Sequence, residues 1–448
     1  MEAATTHEGL PQEPERSILD RILGLLAPVR AGESVTALIL AANVFLLLGA
    51  YYILKTVREP LILDQPNGAL IASRATGFQA VLFLLVIPIY SAIASRFNRM
   101  KLIATVMLFF AANLAIFYAA GKAGMAVGVP FFLWVGIFNM LAVAQAWAFA
   151  NDVYTEEEGK RLFPIVGVGA SLGAWVGSTL VTRLSKQMDP FDLMLLVAMV
   201  LGICVALTYW VHARESHRAG HAKAAVEKLD KSGGFQLVLK SRYLLLIAAL
   251  VLLFTCVNSV GEYLVRRFVE EQAATIDPEA RKQFISAFFG DYYSWVNLVG
   301  FLLQTFVVSR LFQWIGVGGA LFVLPLIAAG GYTFLAVLPV VGVIRVSKIL
   351  ENATDYSLNN TVRHALFLPT TRDQKYKGKA AVDTFFVRAG DLLQTGVVDI
   401  GTRFLALSVS GFAVLNLGLV AIWVVLGVAI YREWKRLSAS SPDSTARG

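Results

Sequence analysis

The sequence predicts an all-α polytopic membrane protein, with twelve transmembrane helices in two pseudo-symmetric six-helix bundles. Three observations predict it. The chain of 448 residues is 57% hydrophobic and 16% charged, with a mean hydropathy of +0.64, whereas soluble domains carry about 25% charge. Apolar runs of about 20 residues recur along the whole length, each long enough to cross about 30 Å of hydrocarbon. The first six runs are echoed weakly by the last six, across a polar break at 212–234.

The elements follow in order. A polar segment, 1–33, opens the chain. No cleavable signal is expected, because the first apolar run is too long for a signal's core. Within the segment, "SILDRILGLLA" (17–27) is amphipathic and suits a membrane surface. The spans lie near 34–54, 75–95, 102–121, 130–151, 162–183, 191–212, 243–264, 290–311, 317–338, 340–360, 382–404 and 409–431. Pro339 is the only punctuation between the ninth and tenth. The bundles are therefore 34–212 and 243–431, joined by a linker at 213–242 and followed by a tail at 432–448. The break at 212–234 is basic and polar and ends in Gly-Gly. Its His212, His217 and His221 read as solvated residues, with a metal site the lesser alternative. Cys204 and Cys256 sit inside spans, so packing and no disulfide is expected. Asp277 and Pro278 suggest the start of a short surface helix in the segment 265–289.

An even span count puts both termini on one side. That side carries 25 of the 39 Lys and Arg residues, so the termini are expected in the cytoplasm of a bacterial inner membrane. This asymmetry accounts for much of the +8 net charge without a nucleic-acid partner.

The internal echo pairs Gly49, Tyr51 and Lys55 of the first span with Gly261, Tyr263 and Arg267 of the seventh. Ser95-Arg96 pairs with Ser309-Arg310, and Gly159-Lys160 with Gly378-Lys379. Two bundles related by a twofold along the membrane normal give such a pattern, and transporters of this plan bind their solute between the bundles.

Ionisable groups inside spans cost at least about 2.5 kcal/mol each on insertion scales, so they need polar surroundings. Lys55 and Arg58 share a face of the first helix. Snorkelling to the interface is an even alternative for Arg58 with Glu59. Lys55, facing Arg267 of the other half, is expected to form an anion site. In the tenth span Arg345, Lys348, Asn352, Asp355 and Asn359 trace one helical stripe, flanked by Glu351. The stripe is expected to line a cavity, with a purely structural salt-bridge network as the alternative. In the eleventh, Arg388 with Asp391 and Asp399 with Arg403 can pair along the helix, beside Asp383. The fourth span adds Asn139, Gln145 and Asp152. Acids near Asp152, next to Lys160 and Arg161, lie opposite a basic loop that includes Lys377 and Lys379. These are expected to form a cytoplasmic gate between the halves. "GVGASLG" (167–173) is not a phosphate loop, since no strand precedes it. Gly169, Gly173 and Gly177 instead carry the small-residue spacing of close helix packing. No clustered metal ligands, nucleophile–base spacing or large extramembrane domain points to an enzyme.

Three stretches, "LLGAYYILKTVREPLIL", "WAFANDVYTEEEGKRLFPIVGVGASLG" and "KYKGKAAVDTFFVRAGD", resemble the ATP/ADP translocase family of plastids and intracellular bacteria, and more closely its relatives in free-living bacteria. The resemblance covers most of the chain in order. It implies a major facilitator-like architecture and exchange of nucleotides across a membrane. It implies that Lys55 corresponds to the family's essential basic residue of the first span. It also implies that Lys375, Lys377, Gly378, Lys379, Ala380, Ala381 and Asp383 form its signature, followed by Arg388. Two departures stand out. Nucleotide-exchanging members carry a Lys just after Arg-x-Gly where this chain has Asp391, and an acid in the fourth span where this chain has Asn139 and Gln145. The loss of a cavity Lys counts against ATP as the solute.

The expected function is a secondary-active carrier of an anionic, nucleotide or phosphorylated solute, working by alternating access. Lys55, Arg58, Arg267, Lys348 and Arg388 would contact the anion, and Asn139, Asn352 and Asn359 its polar part. Glu262, Glu351, Asp355 and Asp391 would pair with those cations or carry a coupling proton. A proton-coupled carrier of a smaller solute, or a non-transporting scaffold or sensor, is the alternative. The expected partners are the solute, ATP or ADP among the options, and the lipid bilayer. No redox or metal cofactor is implied, and a monomer is compatible with the plan.

Overall fold

A computed structural model describes residues 17–24, 27–94, 96–216 and 233–439. The linker positions 217–232, with His217 and His221, lie outside the described residues. The described residues form helices and no strand. Nine of those helices are long and apolar enough to cross a bilayer, one being the 60-residue run Pro278–Val337. That run breaks at Gly316, whose φ of 63° and ψ of −177° place it outside the helical region, in backbone that glycine adopts at no steric cost. Two further helices carry too many charges to pass as apolar, and they complete the twelve.

We number them α1 (Ser34–Leu63), α2 (Gly68–Ala94), α3 (Arg99–Lys122), α4 (Gly128–Val153), α5 (Glu156–Leu184), α6 (Pro190–Ser216) and α7 (Arg242–Ala273). Then come α8 (278–315), α9 (317–337), α10 (341–366), α11 (374–403) and α12 (Val409–Ala439). The helix that begins at Pro278 is not a short surface helix. It continues without interruption into α8. The break expected at Pro339 falls between Val337 and Val341. Short helices Ile18–Leu23 and Gly234–Lys240 precede each set of six. The α4–α5 turn is fixed by a capping box: Thr155 accepts from the Glu158 N–H, and the Glu158 carboxylate accepts from the Thr155 N–H.

One apolar core is built from residues 23–211 and another mainly from 238–430, into which Tyr52, Ile62 and Leu63 of α1 also reach. Within the first core, α5 lies against α1 through its glycine ladder. A Cβ at Gly169 would stand 2.6 Å from the Ala41 carbonyl oxygen, and Cβ atoms at Gly173 and Gly177 would run into the carbonyls of Phe45 and Gly49. The small-residue spacing at 169, 173 and 177 thus does what its pattern predicts: it lets two backbones meet. Cys204 and Cys256 are buried free thiols.

The two sets of six meet at the face opposite the termini, here called the far face. The Arg266 guanidinium of α7 donates to the Glu59 carboxylate of α1 through Nε at 2.8 Å and Nη2 at 3.1 Å. Arg74 of α2 donates to Asp399 of α11 at 2.8 and 2.5 Å. Glu270 of α7 accepts from the N–H groups of Gly68 and Ala69 at the start of α2, at 2.8 and 3.0 Å, the first shared with the Gln65 carbonyl. A helix N-terminus leaves such donors without an intrahelical partner and favours a carboxylate there. Lower down, Gln394 donates to Ser73, Thr179 pairs with Ser294, and Asn297 donates to Ser178.

Candidate functional site: a cationic cavity between the two sets of six helices

Below the far-face contacts lies a cavity of about 190 Å³ lined from both sides. Lys55 and Arg58 of α1, Ser73, Thr76 and Gln79 of α2 and Phe132 of α4 form one wall. Asn258, Ser259, Glu262 and Arg266 of α7, Tyr293 of α8, Tyr356 of α10, and Arg388, Asp391 and Gln394 of α11 form the other.

Its cations differ in how they are held. Arg58 lies 3.1 Å from Glu59 and over the Phe132 ring at 4.4 Å. Arg266 shares that same Glu59, which is 0% exposed and also accepts from the Tyr293 hydroxyl at 3.4 Å. Arg388 pairs with Asp391 at 2.9 Å and stacks on Phe83 at 4.6 Å. No ion pair holds Lys55 among the described residues. Its ammonium instead faces the rings of Tyr293, Tyr52 and Tyr356 at 4.2, 5.2 and 5.9 Å. Aromatic faces attract a cation without neutralising it, so this charge stays available.

The sequence pattern brought Lys55, Arg58, Glu262, Arg388 and Asp391 to the cavity wall, and the structure places them there. Other expected site residues lie elsewhere. Arg267 points away: it pairs with Glu271 at 3.1 Å and donates to the Leu407 carbonyl. Its neighbour Arg266 takes the cavity position, because 258, 259, 262 and 266 share a helical face and 267 is turned about 100° from 266. Lys348 is 0% exposed and is held inside the second set of six by Glu351 at 3.0 Å and the Asn258 side chain at 2.5 Å. Asn352 donates to Glu262 at 2.6 Å and to Tyr292 at 2.8 Å, and it does not line the cavity. Asn359 donates to Asp355 along its own helix, and Arg345 pairs with Asp291 of α8. The α10 stripe is therefore chiefly a structural network against α7, α8 and α9. A π turn at Asp355–Asn359 inserts an extra residue, so a strict 3.6-residue stripe cannot be continued through it. Tyr356, outside the stripe, reaches the cavity instead. Asn139 opens another π turn, Asn139–Val143, and is not among the lining residues.

Among the described residues, Asp152, Arg161 and Lys379 find partners inside their own halves in this conformation. Asp152 pairs with Arg99 at 3.0 Å, Arg161 with Glu33 at 2.8 Å, Lys377 with Asp373 at 3.9 Å and Lys379 with Asp383 at 2.5 Å. Each of these pairs stays within its own set of six or its flanking segment; the two lysine pairs join neighbours one turn apart, which meet at less entropic cost than groups across a gap. Lys160 lies beside Arg161 at the start of α5.

The family model for the TLC ATP/ADP transporter matches residues 132–340 and 319–434. The chain belongs to the TLC ATP/ADP transporter family. ADP,ATP carrier protein 1 of Chlamydia trachomatis serovar D is 27% identical over 355 residues, 67% of this chain and 64% of that protein. The chloroplastic ADP,ATP carrier protein 1 of Arabidopsis thaliana is 25% identical over 273 residues, 53% of this chain and 42% of that one. The match thus spans less than two thirds of these relatives' own length. Among solved structures, the nucleoside transporter NupG superposes with a TM-score of 0.62 at 13% identity, over 89% of this chain and 99% of NupG. The POT family transporter PepTSo gives 0.63 at 12%, over 90% and 98%. At such identity these two establish the fold, which is that of major facilitator-type transporters.

In this TLC ATP/ADP transporter family chain, the sequence pattern did not single out Arg266, Tyr293, Tyr356, Gln79, Ser73 or Gln394. The Arg266-Arg267 doublet was the available signal: only one of two adjacent helical residues can face a cavity. The far-face pair Arg74–Asp399 had no such signal, because its partners are 325 residues apart.

Proposed function

We propose that this protein is a secondary-active carrier of an anionic nucleotide or phosphorylated solute, working by alternating access, and not an enzyme. The observation that supports it most is Lys55. It is a cation between the two halves that faces tyrosine rings and makes no ion pair among the described residues. Around the cavity stand four cations, Lys55, Arg58, Arg266 and Arg388, and three carboxylates, Glu59, Glu262 and Asp391. One positive charge is in surplus, and an anion neutralises it. The names of the relatives, ADP,ATP carrier proteins, support nucleotides as the solute class. The pairs at the far face support a state closed on that side. With most Lys and Arg on the opposite side, the positive-inside rule makes that a cytoplasm-facing state of a bacterial inner-membrane protein.

In this reading the solute enters between the halves, its acidic group docks on Lys55, and Arg388 changes partner from Asp391 to the solute. The Glu59 contacts then give way as the far face opens. A second reading, coupling to protons, is favoured by two carboxylates in the cavity wall, Glu262 and Asp391. A protonated Asp391 would release Arg388 for the anion.

Counterflow of labelled ATP and ADP in proteoliposomes tests the proposal. Saturable flux that Lys55→Ala abolishes is the expected result. Absence of flux with nucleotides and with phosphorylated metabolites sinks it. Flux that follows an imposed pH gradient, and loses that dependence in Asp391→Asn, supports the second reading.

A further inference from the structure

A second pocket, of about 250 Å³, adjoins the cationic cavity. Tyr356 lines both, and Lys55 stands between them, over the rings of Tyr52 and Tyr356 that face the second pocket. Its chemistry is the opposite of the first. Tyr52, Tyr356 and Phe301 supply aromatic surface, and Ser171 and Gln304 supply polar edges. It too lies between the halves, with α1 and α5 on one side and α8 and α10 on the other.

Two features mark this pocket as a binding site. First, the α8 and α10 helices each relax into a π turn where they border it, Leu303–Val307 carrying Gln304 and Asp355–Asn359 carrying Tyr356. Such turns are rare, cost helical hydrogen bonding, and concentrate at functional sites. Secondly, the side chains of Gln304 and Ser171 have no hydrogen-bond partner among the described residues, and Gln304 is exposed. Hydrocarbon cannot satisfy an amide, so this one is placed for water or a ligand.

We propose that the second pocket takes a planar aromatic ring of the transported anion while Lys55 and the cationic cavity take its acidic group. The ligand class is thus an anion joined to a heterocycle. The ring would stack on Tyr356 or Phe301 and hydrogen-bond through its edge to Gln304 and Ser171, as planar ligands do in sites that combine aromatic walls with a few convergent polar groups. This rests on the reading that the protein binds an anion at Lys55.

The test is equilibrium binding to the purified full-length chain in nanodiscs. The probes are ADP, GDP and UDP, with pyrophosphate and ribose 5-phosphate as anions lacking the ring. Wild type is expected to bind at least one nucleoside diphosphate about tenfold or more tightly than pyrophosphate, the scale of one base–aromatic contact. Ser171→Trp, which fills the pocket, and Phe301→Ala, which removes a stacking face, should erase that preference and leave pyrophosphate binding within about twofold. Gln304→Ala alters an exposed side chain with no partner to lose, and it should weaken only the nucleotides. Lys55→Ala should weaken both classes. Equal binding of both classes by wild type overturns the proposal, and so does a preference that survives Gln304→Ala and either pocket variant. The second outcome would leave the pocket to a lipid chain. No binding of any anion by wild type instead overturns the carrier reading beneath it.

Discussion

Glu59→Gln is the most incisive perturbation of the far-face closure. The wild-type carboxylate is fully buried and accepts three guanidinium N–H bonds, one from Arg58 and two from Arg266, plus one from the Tyr293 hydroxyl. Glutamine keeps one acceptor oxygen and the shape, but it leaves two buried guanidinium groups without their counter-charge. Removing one partner of a buried pair costs about 3–5 kcal/mol. The penalty falls on the closed state, because opening the far face lets water reach the arginines. At about 1.4 kcal/mol per tenfold, the closed-to-open ratio should fall by roughly a hundredfold to several thousandfold. Spin labels on Pro66→Cys, in the α1–α2 turn, and Gln272→Cys, at the end of α7, report the gap. The native thiols of Cys204 and Cys256 are buried and should not react. A longer distance population in Glu59→Gln is the expected result, largely reversed by adding Arg266→Gln, which removes one orphaned charge. An unchanged single short distance, with unchanged thermal stability, would refute the reasoning that this pair holds the far face shut.

Three further outcomes are expected. Gly173→Ala forces a methyl against the Phe45 carbonyl in the α1–α5 contact and should cost about 1–3 kcal/mol, read as a lower thermal midpoint, whereas Gly202→Ala, with open space around it, should cost little. At the membrane edge, burial raises the Glu33 carboxyl, but the Arg161 hydrogen bonds, the Arg30 N–H and the nearby guanidinium charges outweigh it and hold it below the ordinary 4.5. A depressed carboxyl stabilises above its unfolded value and loses that contribution as pH falls through the folded one. Protection of residues 30–37 from hydrogen exchange, taken relative to the intrinsic rate at each pH, should therefore hold down to about pH 5 and fall below it, and Glu33→Gln should show no such step. Finally, Asp391→Asn removes the anionic partner of Arg388 and should tighten pyrophosphate binding severalfold, measured in the same nanodisc assay; weaker binding would show that Asp391 holds Arg388 in place for the anion.

What the sequence determined by itself was set by solvent. Hydrocarbon enforces long apolar helices, so their number, the break at Pro339 and the two sets of six could be read from composition and run length. Lipid also makes embedded charge costly, which singled out Lys55, Arg388 and Asp391, and it makes glycine spacing informative, which identified the α1–α5 contact. What only the tertiary structure decided was facing and partnership. Adjacent residues on a helix differ by about 100° in direction, so the choice of Arg266 over Arg267 turned on a rotation that letter-matching between repeats cannot register. The π turn in α10 shifted the faces beyond Thr354, so a regular stripe ended in internal pairs and Tyr356 reached the cavity. Lys348 and Lys55 are both lysines in membrane-spanning helices. One found Glu351 a single turn away, and the other found three tyrosines brought from α1, α8 and α10. The difference between a structural charge and an available one lies in where the packed fold sends the nearest carboxylate: Glu351 stays with Lys348, whereas Glu59, one turn from Lys55, is taken by Arg58 and Arg266.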